Sequence, residues 1–422
     1  MTVVDSPPAS VSAPDPADWP PALQLLLGVD AGGLLSAVAD AAGGALRTWT
    51  PRQVVHQPGR STVVQYRADI AGVDGVTRRE TIVAATGERI PTGAAVLDDG
   101  STRVAVWQWP GDPSLPGLAS AVDPRRVGRL LDDLGVDGGH VELRPRAYRP
   151  GRRAVVEASG RRGRLFLKVV RPRAVEALHG THRSLAAHLP VPDSLGWTPD
   201  GLLVLPALSG RTLREVLRSG RLTPPAPPAI DALLDRLPAE LAQGGPMRRD
   251  VFASAEHHGR VVAETLPAAR EQVDALLADL RAAPRAEHDV VPVHGDLYEA
   301  QLLVGRGGDI TGLLDVDTAA AGHRIDDLAN LCAHLSVLAL VTDRPRVVKR
   351  YGAAVLAHAE TRFDRGDLRA RIAAAIVGLA TGPFRVLEPN WALATGRRLA
   401  LARAWLENRV QPDERTLTAA SC

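Results

Sequence analysis

The segment VVPVHGDLYEAQLLVG, residues 290–305, is an apolar run broken by His294, Gly295 and Asp296 and resumed after Gln301. A carboxylate at such a break can accept a proton from a substrate hydroxyl, and an amide oxygen five residues on can reach a divalent cation from the same loop. A second apolar run, in DITGLLDVDTAAAGHRIDDLANL (309–331), ends in Asp315 and Asp317. Their carboxylates fall on one side if the extended backbone continues. Two clusters of hard oxygen donors, each following a short strand, describe loops that converge on Mg²⁺. Singly, each aspartate reads as a cap or turn residue; the ordered set is what points to chemistry.

Lys168 is the third candidate, because it stands inside the apolar run RLFLKVV, where an unpaired ammonium is costly to desolvate unless an anion meets it. Of the 50 Lys and Arg residues only Lys168 and Lys349 are lysine, so a lysine retained there has a reason. The turn RPGRR before it, with Gly151 and Arg152, can lay backbone N–H groups and guanidinium groups over a polyphosphate.

These residues need elements to hold them. β-branched runs between Gly/Asp turns predict strands from about residue 50 to 110 and again from about 143 to 206, with a helix from about 173 to 188 before the last strand. Asp123 and Pro124 start a helix between the two β regions. From 211 onward the pattern is helical, apart from short apolar pieces at 290–316. HQPGRSTVVQYR and YRPGRRAVVEAS superpose on Pro-Gly-Arg, and extending the match predicts a duplicated antiparallel sheet whose first copy has Ala84 in place of Lys168.

Composition bounds the rest. The chain has 422 residues, 45% hydrophobic and 23% charged, enough for two or three compact units. A net charge of +2 provides no global field for nucleic acid or anionic lipid, so neither is expected as a partner. The two cysteines, Cys332 and Cys422, have no metal-ligand spacing. No run of eighteen apolar residues and no secretory signal is present, which predicts a cytoplasmic protein, monomeric or homodimeric, with no membrane partner.

HGDLYEAQ resembles the H-G-D-x-x-x-x-N catalytic loop of the aminoglycoside phosphotransferases and related small-molecule kinases, and LLDVDTAAAGHRIDDLANL resembles their metal-binding segment. The resemblance covers about residues 143 to 409, and an actinobacterial-looking composition places it near the maltokinase and glucosamine kinase branch. It implies an α+β, protein-kinase-like bilobal fold: a disordered leader (1–20), an N-terminal β-containing cap (21–120), a small antiparallel β N-lobe (121–208) and a helical C-lobe (209–422). It further implies ATP, with GTP as the alternative, and Mg²⁺. Asp296 then orients the acceptor hydroxyl, Gln301 stands where the family has a metal-binding Asn, and Asp315 chelates metal, with Asp317 as an additional carboxylate. Lys168 holds nucleotide phosphates, paired with Glu176; the backbone near Pro206 and Leu208 meets the purine. His294 and Asp327 support the loop. Glu388 and Trp391, in a Pro-containing break between helices, suit a sugar acceptor. The expected reaction is phosphoryl transfer to a small-molecule hydroxyl, a sugar or amino-sugar, with an antibiotic acceptor or a non-catalytic nucleotide-binding module as alternatives.

Overall fold

The computed structural model describes residues 13–410 apart from 89, 99, 101, 162 and 244–246. Residues 1–12 of the expected leader, and Cys422, lie outside the described residues. The rest of that leader is corrected: Asp15 caps a 3-10 turn at Pro16–Asp18, and the Trp19 indole N–H donates to the Thr265 carbonyl at 2.9 Å. The Trp19 ring meets Phe384 edge-on at 5.9 Å, so this segment is tied to the helical half.

Helices α1 (Pro21–Leu27) and α2 (Ala31–Ala41) precede strands β1 (Ala45–Gln57), β2 (Ser61–Ala71), β3 (Thr77–Gly87), β4 (Ala95–Asp98) and β5 (Arg103–Gln108). The strands form an antiparallel sheet in the order β1-β2-β3-β5-β4. Alternate residues Val64, Tyr66 and Ala68 of β2 face Leu23 and Leu26 of α1 and Leu35 of α2, the period-two pattern of a sheet covered on one face. Tyr66 OH donates to the Leu26 carbonyl.

The next unit repeats this plan. Helices α3 (Gly117–Ala121) and α4 (Pro124–Asp133) are followed by β6 (Glu142–Arg149), β7 (Arg153–Gly160), β8 (Gly163–Val170), β9 (Gly196–Trp197) and β10 (Leu202–Pro206), in the order β6-β7-β8-β10-β9. As expected, Asp123 caps α4, accepting from the N–H groups of Arg125 and Arg126. Leu118, Val127 and Leu131 cover Val156, Leu167 and Val169. Helix α5 (Pro172–Ala186) joins β8 to β9; the first unit has only a loop there.

Strand order and register carry the duplication. The hairpin glycines Gly59 and Gly151 have φ of 65° and 66°, the left-handed geometry that favours glycine. Counting from those turns, Val63 pairs with Ala85 and Val155 with Lys168; Ala85 pairs with Ala105 and Lys168 with Leu203. The counterpart of Lys168 is therefore Ala85 rather than Ala84. The one-residue slip matters because it would turn the side chain to the opposite face of the sheet.

The remaining chain is helical: α6 (Leu213–Ser219), α7 (Pro227–Leu234), α8 (Val251–Thr265), α9 (Arg270–Ala282), α10 (Arg324–Val341), α11 (Pro345–Glu360), α12 (Arg365–Ala380), α13 (Gly382–Arg385) and α14 (Trp391–Leu406). Helices α10, rich in Leu, and α12, rich in Ala, are buried on nearly all sides, and they centre the core with Trp405 of α14. No single helix among the described residues is long and apolar enough to cross a membrane. The architecture is the expected α+β, bilobal, protein-kinase-like one, a small antiparallel lobe on a helical lobe, preceded by a second sheet.

Candidate active site

Short ladders present the two loops. Strand β12 (Val291–Val293) pairs with β15 (Ala320–Gly322), and β13 (Leu302–Val304) lies between β14 (Ile310–Leu313) and β11 (Arg211–Thr212), pairing with both. The loop 294–301 and the loop 314–319 are thus carried side by side at the ends of nested antiparallel pairs. Backbone bonds lock them: Leu314 N–H donates to the Gln301 carbonyl at 2.8 Å, and Thr318 Oγ1 to the His294 carbonyl at 2.9 Å. His294 Nε2 donates to the Leu314 carbonyl at 2.9 Å while Nδ1 accepts from the Asp296 N–H at 3.2 Å, which fixes the ring as the Nε2–H tautomer. Asp327 accepts from the N–H groups of His294 and Gly295, both at 2.8 Å. Gly295 has φ of 78°, and a Cβ there would lie 2.6 Å from both the Thr318 carbonyl oxygen and Arg248 Nε.

Asp315 and Asp317 meet Lys168 across the lobes. Lys168, 6% exposed, donates to Asp315 Oδ1 at 3.0 Å and Asp317 Oδ1 at 2.5 Å. Arg153 grips Asp315 with two parallel bonds of 3.0 and 3.1 Å, a bidentate pair. Burial works against ionisation of Asp315, but Lys168 and Arg153 outweigh it and hold the carboxyl below its usual range. Asp317 is also held low against burial, by His182 and Lys168. Asp315 has φ of 55°, uncommon for a non-glycine residue and found where a site constrains the backbone.

Arg153 was not foreseen, though a signal existed: it lies two residues from Val155 on β7, and Val155 opposes Lys168, so period two puts all three on one face. Glu176 is corrected. It is exposed on α5, whose buried stripe is Val175, His182 and Leu185; one residue on from Val175 turns a side chain about 100° away. The inward helix residue is His182, with Nδ1 donating to the Pro192 carbonyl at 2.8 Å and Nε2 3.9 Å from Asp317 Oδ1.

Asp296 lies beside this cluster. Burial, with the nearby Asp315 charge, raises its pKa above the ordinary carboxylate value, against the pull of His294, Arg248 and Arg153. Gln301 is 5% exposed, and its amide makes no hydrogen bond among the described residues. Two cavities, each of about 310 Å³, flank the loop. One is lined by Asp296, Asn330 and Arg248, the other by Glu299, Arg214 and Arg398, and both by His334 and Arg385. Tyr298 stacks on His334 at 4.3 Å between them.

The other expected site residues fall elsewhere or are already engaged. The Gly151 N–H donates to Asp112 Oδ2 at 2.7 Å, so it is not free for phosphate; Asp112 also accepts from Tyr148 OH at 2.9 Å. Arg152 lines a recess of about 120 Å³ with Arg149 and Arg385. Pro206 ends β10 opposite Leu165, the following Ala207 N–H donates to the Arg164 carbonyl, and Leu208 is half-buried next to Gly312. Trp391 is corrected: it is buried against Phe384 with ring centroids 4.8 Å apart, a core residue rather than a sugar platform. Glu388, in the break before α14, lines neither cavity beside Asp296.

Residues 146–369 match the model of the phosphotransferase enzyme family. No curated protein matches the sequence. Among solved structures the chain is similar to an aminoglycoside phosphotransferase from Streptomyces rimosus, with 20% identity, covering 59% of this chain and 95% of that one at a TM-score of 0.41. It is similar to a macrolide 2'-phosphotransferase from Brachybacterium faecium, with 24% identity, covering 67% and 98% at 0.41. A choline kinase from Cryptosporidium parvum shares 10% identity, covering 68% and 96% at 0.46.

Proposed function

The chain belongs to the phosphotransferase enzyme family, kinases acting on hydroxyl groups of small molecules, and from that premise we propose that it moves the γ-phosphoryl group of ATP to a sugar hydroxyl. The observation that carries this is the cluster in which Lys168 of one lobe meets Asp315 and Asp317 of the other, with Asp296 near enough to feel the Asp315 charge.

The donor set fits Mg²⁺: two carboxylates, Asp315 and Asp317, with the buried Gln301 amide nearby, are hard oxygen ligands of the number that ion takes from protein when phosphates supply others. Asp315, Asp317 and Gln301 would hold the ion, which would supply Lewis-acid neutralisation of phosphate charge. Lys168 and Arg153 now neutralise the same carboxylates. Lys168 and Arg153 would have nucleotide phosphates as alternative partners, and Asp315 and Asp317 would then be free to hold the ion.

Asp296 accepts the hydroxyl proton of the acceptor. Its raised pKa, chiefly from burial, makes it a better base than an exposed aspartate. Asp327 and His294 hold its loop through backbone bonds, so they position rather than react. Little covalent chemistry is left to the protein: orientation and charge placement do the rest.

The acceptor side carries arginines, and a polycationic aminoglycoside or an ammonium-bearing amino-sugar meets charge of its own sign there. A sugar without a positive charge suits the walls better. Acceptor-stimulated ADP release is the test: Asp296→Asn is expected to lower transfer by roughly 10²–10⁴-fold while nucleotide affinity holds, and full turnover in that variant would refute the assignment.

A further inference from the structure

The cavity lined by Glu299 carries a charge imbalance that phosphoryl transfer leaves unused. Arg214 and Arg218 of α6, Arg385 of α13 and Arg398 of α14 line it, and Glu299 is the one acid in its wall. Glu299 is 0% exposed; Oε1 accepts from Arg214 Nε at 2.8 Å, and Oε2 has no partner among the described residues. Within the wall one carboxylate answers one guanidinium, and Glu388, outside it, places a further negative charge near Arg398. Arg398 donates to the neutral Leu379 carbonyl at 2.7 Å, and Arg218 and Arg385 form no ion pair among the described residues.

Burial, then Arg214 and Arg398, push His334 down to about 3, so the ring between the two cavities stays neutral. Burial, then Arg149 and Arg152 outside this cavity, lower Arg385, while Tyr298 and Asp296 pull the other way. Val337, Leu338 and Leu379 make the rest of the wall apolar, which strengthens any ion pair formed inside. Unanswered guanidinium groups in such a recess are forks for a planar or tetrahedral oxyanion. Arg385 also lines the cavity that holds Asp296, so an anion on it lies within one small molecule of the reacting hydroxyl.

We infer that the acceptor carries an anionic group, a carboxylate or a phosphate monoester, which docks on Arg218, Arg385 and Arg398 while its hydroxyl is presented to Asp296. This rests on the phosphotransfer reading and names the acceptor class for that site.

Calorimetric titration of the full chain with glucose, glucosamine, glucuronate and glucose 6-phosphate, with a non-hydrolysable ATP analogue and Mg²⁺ present, tests it. One or both anionic sugars are expected to bind at least about tenfold more tightly than glucose, with the margin shrinking as salt rises. Whichever binds distinguishes carboxylate from phosphate. In Arg218→Ala and in Arg385→Ala the margin is expected to fall towards unity, with partial recovery in Arg385→Lys. Three results overturn the inference: no binding of either anionic sugar, preference for glucose or glucosamine, or a margin unchanged in both variants. Loss of nucleotide affinity in Arg385→Ala with the margin intact also overturns it, by assigning that guanidinium to the nucleotide. Failure of the phosphotransfer reading shows separately, as no nucleotide binding and no ADP release with any acceptor.

Discussion

At the scale of single residues the account rests on charges placed where water is scarce. Asp296 has a raised pKa, chiefly from burial, so it takes up its proton at a higher pH than an exposed aspartate. Transfer needs the ionised form; the acid limb of kcat/KM against pH is therefore expected above the usual range near 4, and a limb below it would show that another group titrates. Asp317 has the opposite sign. Its folded pKa is depressed, so the stability it contributes is present above the unfolded value and is lost as pH falls through the folded one. Lys168→Ala leaves Asp315 and Asp317 facing each other without their shared cation, and a cost of about 3 kcal/mol in thermal or denaturant unfolding is expected. The residues with distinctive chemistry, Lys168, Asp296, Asp315 and Asp317, were legible in the sequence because each interrupts an apolar run. Arg153 and His182 were not, since nothing local marks one arginine among many or one helix histidine; only the register of β7 against β8 and the buried stripe of α5 single them out.

Elements were legible to the extent that their periodicity is unambiguous. Most strands of both sheets, the Asp123 cap and the helical half follow from period and turn chemistry, whereas β4, in a segment that reads as a turn, and the two-residue strands β9 and β11 have no pattern long enough to read. The catalytic loop depends on Gly295, whose positive φ and close neighbours exclude a side chain. Gly295→Ala is expected to destabilise by more than about 1 kcal/mol and to lower kcat, because Asp296 moves with the loop. A variant with wild-type melting and turnover would show that the loop has slack. Trp391 illustrates the limit in the other direction: an aromatic beside a Pro break reads equally as ligand platform or core, and burial against Phe384 decides for core.

At the scale of the whole molecule, the duplicated sheet is a brace between the lobes. Trp107 Nε1 donates to Tyr148 OH at 3.0 Å, Tyr148 and the Gly151 N–H both donate to Asp112, and His56 on β1 meets Glu264 on α8 at 2.7 Å. The first sheet thus touches the hairpin above the crevice and a helix below it. Glu264→Ala is expected to cost about 1 kcal/mol and to raise hydrogen exchange in β1 and β2 without altering nucleotide affinity. The measurement that bears most directly on the central claim is calorimetric titration of the full chain with Mg²⁺ and a non-hydrolysable ATP analogue, for wild type, Asp296→Ala and Asp315→Ala. Wild type and Asp296→Ala are expected to bind alike, and Asp315→Ala to lose the Mg²⁺-dependent binding. Equal affinity in all three proteins, with or without Mg²⁺, would contradict a nucleotide seated between Lys168 and Asp315.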